Sequence, residues 1–282
     1  MLLRELLSLW AQRFATAGID SAEADAELLF AFVAGMSRGE VQAAALSGAE
    51  VSLEQQANFE ELAARREARE PLQHLTGVAH FRHITLAVGK GVFVPRPETE
   101  LLAGLGIEFL KTLVTANPLA FDLCSGSGAI ALSLAHEVPS ATVVAIEKSE
   151  DAFAWAKRNF ENYKNATIIL GDIADGSPQH NGKADVVLTN PPYIPTEMVP
   201  IYPEVALHDP SLALFGGDDG LDVVRIAERT AHELLREGGF FAIEHADIQA
   251  KAITDLLLAR GWQNVVSHQD FNGRDRVVSA TR

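Results

Sequence analysis

Residues 184–193 read Ala-Asp-Val-Val-Leu-Thr-Asn-Pro-Pro-Tyr, and this stretch decides the fold. The apolar, β-branched run 184–189 predicts a buried strand of a parallel sheet. Two prolines stop the strand, so we expect Asn190 and Tyr193 at its carboxyl end. In open α/β sheets, ligands bind along that edge. The stretch therefore predicts a binding site at the end of a central strand.

The four residues 190–193 suit a planar ligand that carries an NH2 group. Asn190 offers a side-chain carbonyl, and Pro191, which has no N–H, offers its backbone carbonyl. Two acceptors can hold both hydrogens of the NH2 group, while Tyr193 lies against the plane that carries it. The pattern indicates a methyl acceptor that is an amide or an exocyclic base amine. The simpler alternative is a proline-rich turn capped by Asn190.

The composition bounds the class of protein. The 282 residues are 48% hydrophobic, enough for the core of one large or two ordinary domains. A formal net charge of −15 argues against direct nucleic-acid binding. A single cysteine excludes an internal disulfide and fits a reducing compartment. Because no signal peptide and no apolar run of spanning length is present, we expect a cytoplasmic protein without membrane attachment.

The amino-terminal part, residues 1–75, is predicted to contain helices only. Its apolar residues recur at helical spacing. Capping boxes at residues 37–40 and 52–55 mark two helix starts. We interpret residues 1–75 as a helical substrate-recognition domain.

Residues 76–94 have a strand-forming composition. Two apolar runs, 78–88 and 92–94, flank a Gly-Lys-Gly sequence at 89–91, which predicts a β-hairpin turning at the glycines. We expect this hairpin to link the helical domain to a catalytic domain at residues 95–282. The histidines of this region lack regular ligand spacing, so no metal site is predicted.

The remainder alternates strands and helices, which predicts an α/β fold with a doubly wound, mostly parallel sheet and an antiparallel edge strand. The first strand, 119–123, leads into a glycine-rich segment, 124–128, whose backbone can approach a ligand closely. The second strand ends in Glu147, which can accept hydrogen bonds from both ribose hydroxyls. After the third strand, Asp172 can accept from an adenine amino group, and Ile173 can pack on the ring.

A dinucleotide-binding site is the rival interpretation of the glycine-rich segment. Gly126-x-Gly128-x-x-Ala131 fits the dinucleotide fingerprint, with Glu147 at about the expected distance of ~20 residues. Asp122, however, precedes Gly126 by four residues. An acidic residue there suits a cationic, phosphate-free cofactor such as S-adenosylmethionine better than a pyrophosphate.

A long acidic segment follows the tetrad 190–193. Residues 194–224, which we call the acidic lip, contain no Lys or Arg, unlike a surface built to hold phosphates. Pro195, Pro200 and Pro203 predict an absence of regular structure directly after the tetrad. His208 in this segment is predicted to be an exposed loop histidine rather than a general base.

With these motifs assembled, the chain resembles the release-factor glutamine methyltransferases, a family with a seven-stranded methyltransferase sheet. The resemblance covers nearly the whole chain and rests on residues 95–100, 122–128, 190–193, 213–221 and 273–276. The tetrad alone is shared with adenine-N6 methyltransferases. The resemblance implies a cytosolic enzyme that uses S-adenosylmethionine. Its substrate would be the side-chain amide of glutamine in the Gly-Gly-Gln motif of peptide-chain release factors, whose methylation tunes translation termination.

The resemblance also implies site residues. The expected cofactor contacts are Asp122, Cys124, Ser125, Gly126, Ser127, Gly128, Glu147, Asp172, Ile173 and Asn190. The expected substrate contacts are Asn190, Pro191, Pro192, Tyr193, Phe93 and Arg96, of which Asn190, Pro191 and Tyr193 are assigned to catalysis. We expect a monomer that requires no metal. The alternatives are a nucleic-acid adenine-N6 methyltransferase and a non-catalytic binding module on the same fold.

Overall fold

The computed structural model describes residues 1–200 and 202–282. The chain forms two compact units, one of Met1–Val78 with residues 202–208, and one of residues 79–200 with residues 209–282. Within the described residues, no helix is long and apolar enough to cross a bilayer. The division into domains at 1–75, 76–94 and 95–282 stays a prediction.

The amino-terminal unit is helical. Its helices are α1 (Leu3–Thr16), α2 (Ala22–Ala34), α3 (Arg38–Leu46), α4 (Leu53–Glu67) and α5 (Leu72–Thr76). Aromatic side chains fill its core, with Phe59 edge-on to both Trp10 and Phe30 at centroid distances of 6.2 and 5.7 Å. Both predicted capping boxes are present, because Ser37 and Ser52 accept hydrogen bonds from the backbone of the third helical residue.

The second unit is built on a seven-stranded mixed sheet, as predicted. Its strands are β3 (Leu119–Leu123), β4 (Thr142–Glu147), β5 (Ala166–Leu170), β6 (Ala184–Thr189), β7 (Leu235–Glu244), β8 (Gln263–Gln269) and β9 (Asp275–Thr281). The strand order is β5-β4-β3-β6-β7-β9-β8. The first five of these are parallel, and β9 runs antiparallel to both β7 and the outermost β8.

Helices cover both faces of this sheet. The larger helices are α6 (Thr99–Thr112), α7 (Ala129–Glu137), α8 (Glu150–Phe160), α11 (Asp222–Leu234) and α12 (Ala250–Ala259). Successive residues of β6 point to opposite faces, so Leu188 packs in a core with α6, α7 and α8, whereas Val187 packs in a core with α11 and α12. The sheet is therefore doubly wound.

The predicted turn of the hairpin is wrong. Two strands, β1 (Val78–Phe81) and β2 (Ile84–Ala87), pair as a hairpin, but Arg82 and His83 join them. Alternating burial along both strands, rather than the later glycines, sets the pairing. Gly89 serves close packing instead, since a Cβ there would lie 2.4 Å from Cζ2 of Trp155 on α8.

The acidic lip contains regular structure, contrary to the prediction. It forms two short helices, α9 (Pro203–His208) and α10 (Ser211–Leu214). Pro203 occupies the first position of α9, and Pro210 directly precedes α10. Proline is tolerated at a helix start because its missing N–H would have no partner there. The prolines thus mark where these helices begin.

Candidate active site

The glycine-rich segment and the tetrad leave the sheet side by side. Strands β3 and β6 are parallel neighbours, and their last residues, Leu123 and Thr189, are paired. The Thr189 hydroxyl donates to the Leu123 carbonyl at 2.8 Å. Residues 124–128 and 190–193 therefore start from adjacent strand ends, at the edge where a ligand of a parallel sheet binds.

The buried carboxylate of Asp122 accepts hydrogen bonds that hold the glycine-rich segment in place. Oδ2 of Asp122 accepts from the Ser125 hydroxyl at 2.7 Å and from the Ala131 N–H at 3.1 Å. Burial raises the pKa of Asp122 to about 7. Oδ1 is buried and has no hydrogen-bond partner within residues 1–200 and 202–282. Asp122 thus ties the segment to the first turn of α7, with one acceptor unused.

Glu147 connects the end of β4 to the same segment. Its Oε2 accepts from the Gly126 N–H at 2.7 Å, and its Oε1 accepts from the Ser149 N–H at 2.7 Å. A dinucleotide site needs the free N–H groups of its glycine loop for the pyrophosphate. Here the Gly126 N–H is already donated to a carboxylate. The arrangement suits hydroxyl and amino donors of a ligand better than phosphate oxygens.

The third strand end carries a second acidic site. Oδ1 of Asp172 accepts from the Ala174 N–H at 2.9 Å, and Oδ2 lies 2.7 Å from Nζ of Lys148. The hydrogen bond from Lys148 lowers the pKa of Asp172, so this carboxylate remains ionised. Ile173 beside it is buried. A carboxylate followed in the chain by an apolar side chain can hold a flat heterocycle that carries an amino group.

The tetrad is held by contacts on two sides. Nδ2 of Asn190 donates to the Thr99 hydroxyl at 3.2 Å. The Tyr193 hydroxyl donates to Oε1 of Glu244 at 3.4 Å, and burial raises the pKa of Tyr193 well above its usual range. Pro191 between them is buried. Tyr193 is therefore a protonated donor, and the Asn190 amide is oriented by its neighbour.

Two glycines of the acidic lip let the backbone pack against the tetrad. A Cβ at Gly216 would lie 2.5 Å from the Pro192 carbonyl oxygen, and one at Gly220 would lie 2.3 Å from the Tyr193 carbonyl oxygen. The Tyr193 carbonyl also accepts from Nε2 of Gln249 at 2.9 Å. Only glycine allows so close an approach, which accounts for the Gly-rich stretch 213–221.

Sequence reasoning missed two residues of this site, Thr99 and Glu244. Both are buried, at 4% and 2% exposure. Burial raises the pKa of Glu244 to about 7, while the Thr99 hydroxyl, as a hydrogen-bond donor, and the charge of Arg276 act in the opposite direction. Glu244 ends a parallel strand, just as Glu147 does. That position is the signal that could have revealed it.

Phe93 and Arg96, the other predicted substrate contacts, lie together. The Arg96 guanidinium carbon is 5.1 Å from the centroid of the Phe93 ring, a cation–π contact. Nη2 of Arg96 also donates to Oδ2 of Asp209 at 2.9 Å. Their contact with a substrate stays a prediction. Asp209 extends this pair into the acidic lip.

Cys124 carries no reactive thiolate. Its φ of +61° places it in the left-handed region, which favours glycine. Burial raises the pKa of its thiol well above the usual range, and the nearby carboxylates of Glu147 and Asp122 add to this. The thiol therefore stays protonated and acts as a small packed side chain. Within the described residues, no group of three or more His, Cys, Asp or Glu side chains is arranged to hold a metal ion.

Comparison with known proteins gives consistent results over the whole chain. Residues 5–77 match a family model described as the PrmC N-terminal domain, and residues 104–199 match one described as the methyltransferase small domain. The release factor glutamine methyltransferase of Streptomyces coelicolor is 47% identical over 96% of this chain and 95% of its own length.

Two further matches are one relative named for a different acceptor and one solved structure. A 4-amino-L-phenylalanine/4-methylamino-L-phenylalanine methyltransferase of Streptomyces pristinaespiralis is 39% identical over 93% of this chain and 88% of its own length. The crystal structure of a release-factor-specific protein-(glutamine-N5) methyltransferase from Alicyclobacillus acidocaldarius is 25% identical. It covers 69% of this chain and 98% of that protein, with a TM-score of 0.40.

Proposed function

The chain belongs to the release factor glutamine methyltransferase family, and on that premise we propose how its residues perform the family's reaction. The chain transfers a methyl group from S-adenosylmethionine to the side-chain nitrogen, N5, of a glutamine in the Gly-Gly-Gln motif of peptide-chain release factors. The observation that carries the proposal is the Asn190 amide, held by Thr99 at the end of β6 beside the glycine-rich segment. With Nδ2 engaged, its oxygen is left to accept from a substrate NH2.

The residues around the segment 124–128 fit S-adenosylmethionine. Glu147 and Asp172 offer carboxylate acceptors for hydroxyl and amino donors, and the buried Oδ1 of Asp122 is an acceptor with no partner of its own in the part of the chain described. No phosphate needs to be accommodated among these three carboxylates. When bound, this cofactor supplies an electrophilic methyl group on a positively charged sulfur.

The tetrad supplies positioning. An amide nitrogen is a poor nucleophile because its lone pair is conjugated with the carbonyl, so orientation must provide most of the rate. The Asn190 side-chain oxygen and the Pro191 carbonyl accept the two N–H groups of the glutamine amide, and they favour the positive charge that its nitrogen gains. Tyr193 packs along the amide plane. We assign no dedicated base, so the proton that the methylated nitrogen must lose passes to water.

A labelled methyl-transfer assay tests which substrate accepts the methyl group. The protein is incubated with methyl-labelled S-adenosylmethionine and, in separate reactions, a release factor, the same factor with the motif glutamine replaced by alanine, an RNA, or 4-amino-L-phenylalanine. We expect label in the unaltered release factor only. Label in RNA would support the adenine-N6 alternative, and label in 4-amino-L-phenylalanine would assign a small aryl amine as acceptor.

The Asn190→Ala variant tests the clamp, by which we mean the two acceptors formed by the Asn190 side-chain oxygen and the Pro191 carbonyl. We expect it to retain some binding of S-adenosylhomocysteine but to lose methyl transfer, because the acceptor nitrogen is no longer oriented. Normal turnover in this variant would remove the tetrad from the mechanism, and no transfer to any acceptor by the unaltered protein would favour a binding module. The monomeric state and the absence of nucleic-acid binding stay predictions, to be measured by sedimentation and by RNA titration.

A further inference from the structure

Thr99 and Glu244 each contact a residue of the tetrad, and neither is among the site residues that the sequence predicted. An asparagine amide can turn about its last side-chain bond, which exchanges its oxygen and its NH2 group. A clamp that accepts N–H groups works only when the oxygen faces the substrate. Some feature of the protein must therefore choose between the two orientations of Asn190.

Thr99 is the residue in contact with the Asn190 amide. Nδ2 of Asn190 donates to the Thr99 hydroxyl oxygen at 3.2 Å, and Thr99 is buried. Nδ2 and the side-chain oxygen lie on opposite sides of the amide carbon, so this hydrogen bond turns the oxygen away from Thr99. An amide turned over would place its oxygen against Thr99 and would offer its NH2 group, a donor, where the substrate NH2 needs an acceptor.

Glu244 also holds the aromatic member of the tetrad. The Tyr193 hydroxyl donates to its Oε1 at 3.4 Å. Burial raises the pKa of Glu244 to about 7, and the charge of Arg276 acts in the opposite direction. Arg276 is itself anchored, because Nη1 donates to the His245 carbonyl at 3.2 Å. This buried carboxylate thus holds the aromatic end of the tetrad.

We propose that Thr99 and Glu244 are positioning residues that set the orientation of the Asn190 amide and the position of the Tyr193 ring. The inference rests on the proposed function, since it concerns how the same clamp is aligned. Neither residue needs to contact the reacting atoms. Their removal should lower the rate of transfer while leaving cofactor binding in place.

A pair of substitutions at Thr99 provides the test. Thr99→Val keeps the shape but removes the hydroxyl, and Thr99→Ser keeps the hydroxyl. We expect kcat for methyl transfer to the release factor to fall about tenfold or more in Thr99→Val, the size expected for a lost buried hydrogen bond. We expect it to stay within about threefold of the parent in Thr99→Ser. The KM for S-adenosylmethionine and the Kd for S-adenosylhomocysteine should be unchanged in both.

Two controls keep the outcomes separate. Thr112→Val makes the same change at an exposed site on α6, and it should leave kcat unchanged. Unaltered kcat in a folded Thr99→Val protein would overturn the proposal, as would an equal loss in Thr99→Ser. If the parent protein itself fails to methylate the release factor, the proposed function fails before any variant is compared. If the parent is active and only the Thr99 result is contrary, this inference alone fails.

Discussion

The carboxylate of Glu147 holds the backbone of Gly126 at the tip of the glycine-rich segment, with Oε2 2.7 Å from the amide nitrogen. Gly126 has a φ of +57°, and a Cβ there would meet no atom within 4 Å, so conformation rather than crowding calls for glycine. A residue at the end of one strand thus shapes the loop that follows its neighbour. The same carboxylate is the proposed partner of the cofactor ribose.

Removal of this carboxylate should weaken cofactor binding. We expect Glu147→Ala to raise the Kd for S-adenosylhomocysteine at least about tenfold, because it removes a charged acceptor and frees the loop at once. Isothermal titration calorimetry measures this directly. The exposed Glu150, in the first turn of α8, provides the matched control as Glu150→Ala. Equal affinities in the two variants would contradict the assignment of Glu147.

Replacement of Asp122 by asparagine is expected to stabilise the folded protein by an amount that depends on pH. Its pKa is raised by burial from 3.8 to about 7. An acid with a raised pKa in the folded state favours folding at low pH, and this contribution is lost as the pH rises through about 7. Asparagine cannot ionise and keeps an oxygen for the Ser125 and Ala131 donors. We therefore expect Asp122→Asn to raise the free energy of unfolding at pH 8 by about 1–3 kcal/mol.

Urea unfolding at two pH values checks this prediction. The gain from Asp122→Asn should shrink towards pH 5, where the parent carboxyl is protonated in the folded protein. An equal gain at both pH values would show that ionisation of Asp122 is not the cause. We also expect the variant to bind S-adenosylhomocysteine more weakly, because an NH2 group replaces one carboxylate oxygen.

A buried ionic cluster in the helical unit consists of Arg66, Arg69 and Glu204. We expect its contribution to stability to have the opposite pH dependence. Oε1 of Glu204 accepts from both Nη1 and Nη2 of Arg66 at 2.9 Å, and Oε2 lies 2.5 Å from Nη2 of Arg69. Burial alone would raise the pKa of Glu204, but the hydrogen bonds from both arginines hold it below the usual 4.5. Its stabilisation is present above that value and is lost as the pH falls through the lower, folded-state pKa.

We expect Glu204→Gln to lower the free energy of unfolding at pH 7 by about 1–3 kcal/mol, because it removes the counter-charge of Arg69 and one of the two counter-charges of Arg66, which keeps its pair with Asp25. The difference from the parent protein should decrease in acid, as measured by urea unfolding at pH 7 and pH 4. Glu108→Gln breaks an exposed pair with Lys111 and should cost less than about 0.5 kcal/mol. A similar cost for both substitutions would contradict the special role of the cluster.

The close packing of α6 against the central strand β6 leaves no room for a side chain at Gly106. A Cβ at this position would lie 2.6 Å from Cδ1 of Leu188 on β6. We expect Gly106→Ala to destabilise the protein by about 1–3 kcal/mol despite the better helix propensity of alanine. Gly39→Ala on α3, where no atom lies within 4 Å, should be neutral or stabilising by up to about 1 kcal/mol. Thermal unfolding midpoints that move the same way would contradict this account.

Features set by neighbouring residues could be predicted from the sequence. Strands β3 and β6 have the predicted bounds, and both capping boxes form. The tetrad and the glycine-rich segment could be placed at one sheet edge because parallel strands deliver their carboxyl ends to the same side. These patterns depend on periodicity, proline and glycine, which act over a few residues.

Features that depend on packing between distant residues were decided by the tertiary structure alone. Thr99 and Asn190 are 91 residues apart in sequence, and no local pattern relates them. The hairpin turn lies at Arg82 and His83, where the alternating burial of both strands sets their pairing, and Gly89 packs against Trp155. The sequence by itself determined where the strands of the seven-stranded sheet form and where their ends carry polar groups. Only the folded chain shows which side chains meet behind Asn190. A hydrogen bond between distant residues exists only once packing has brought its partners together.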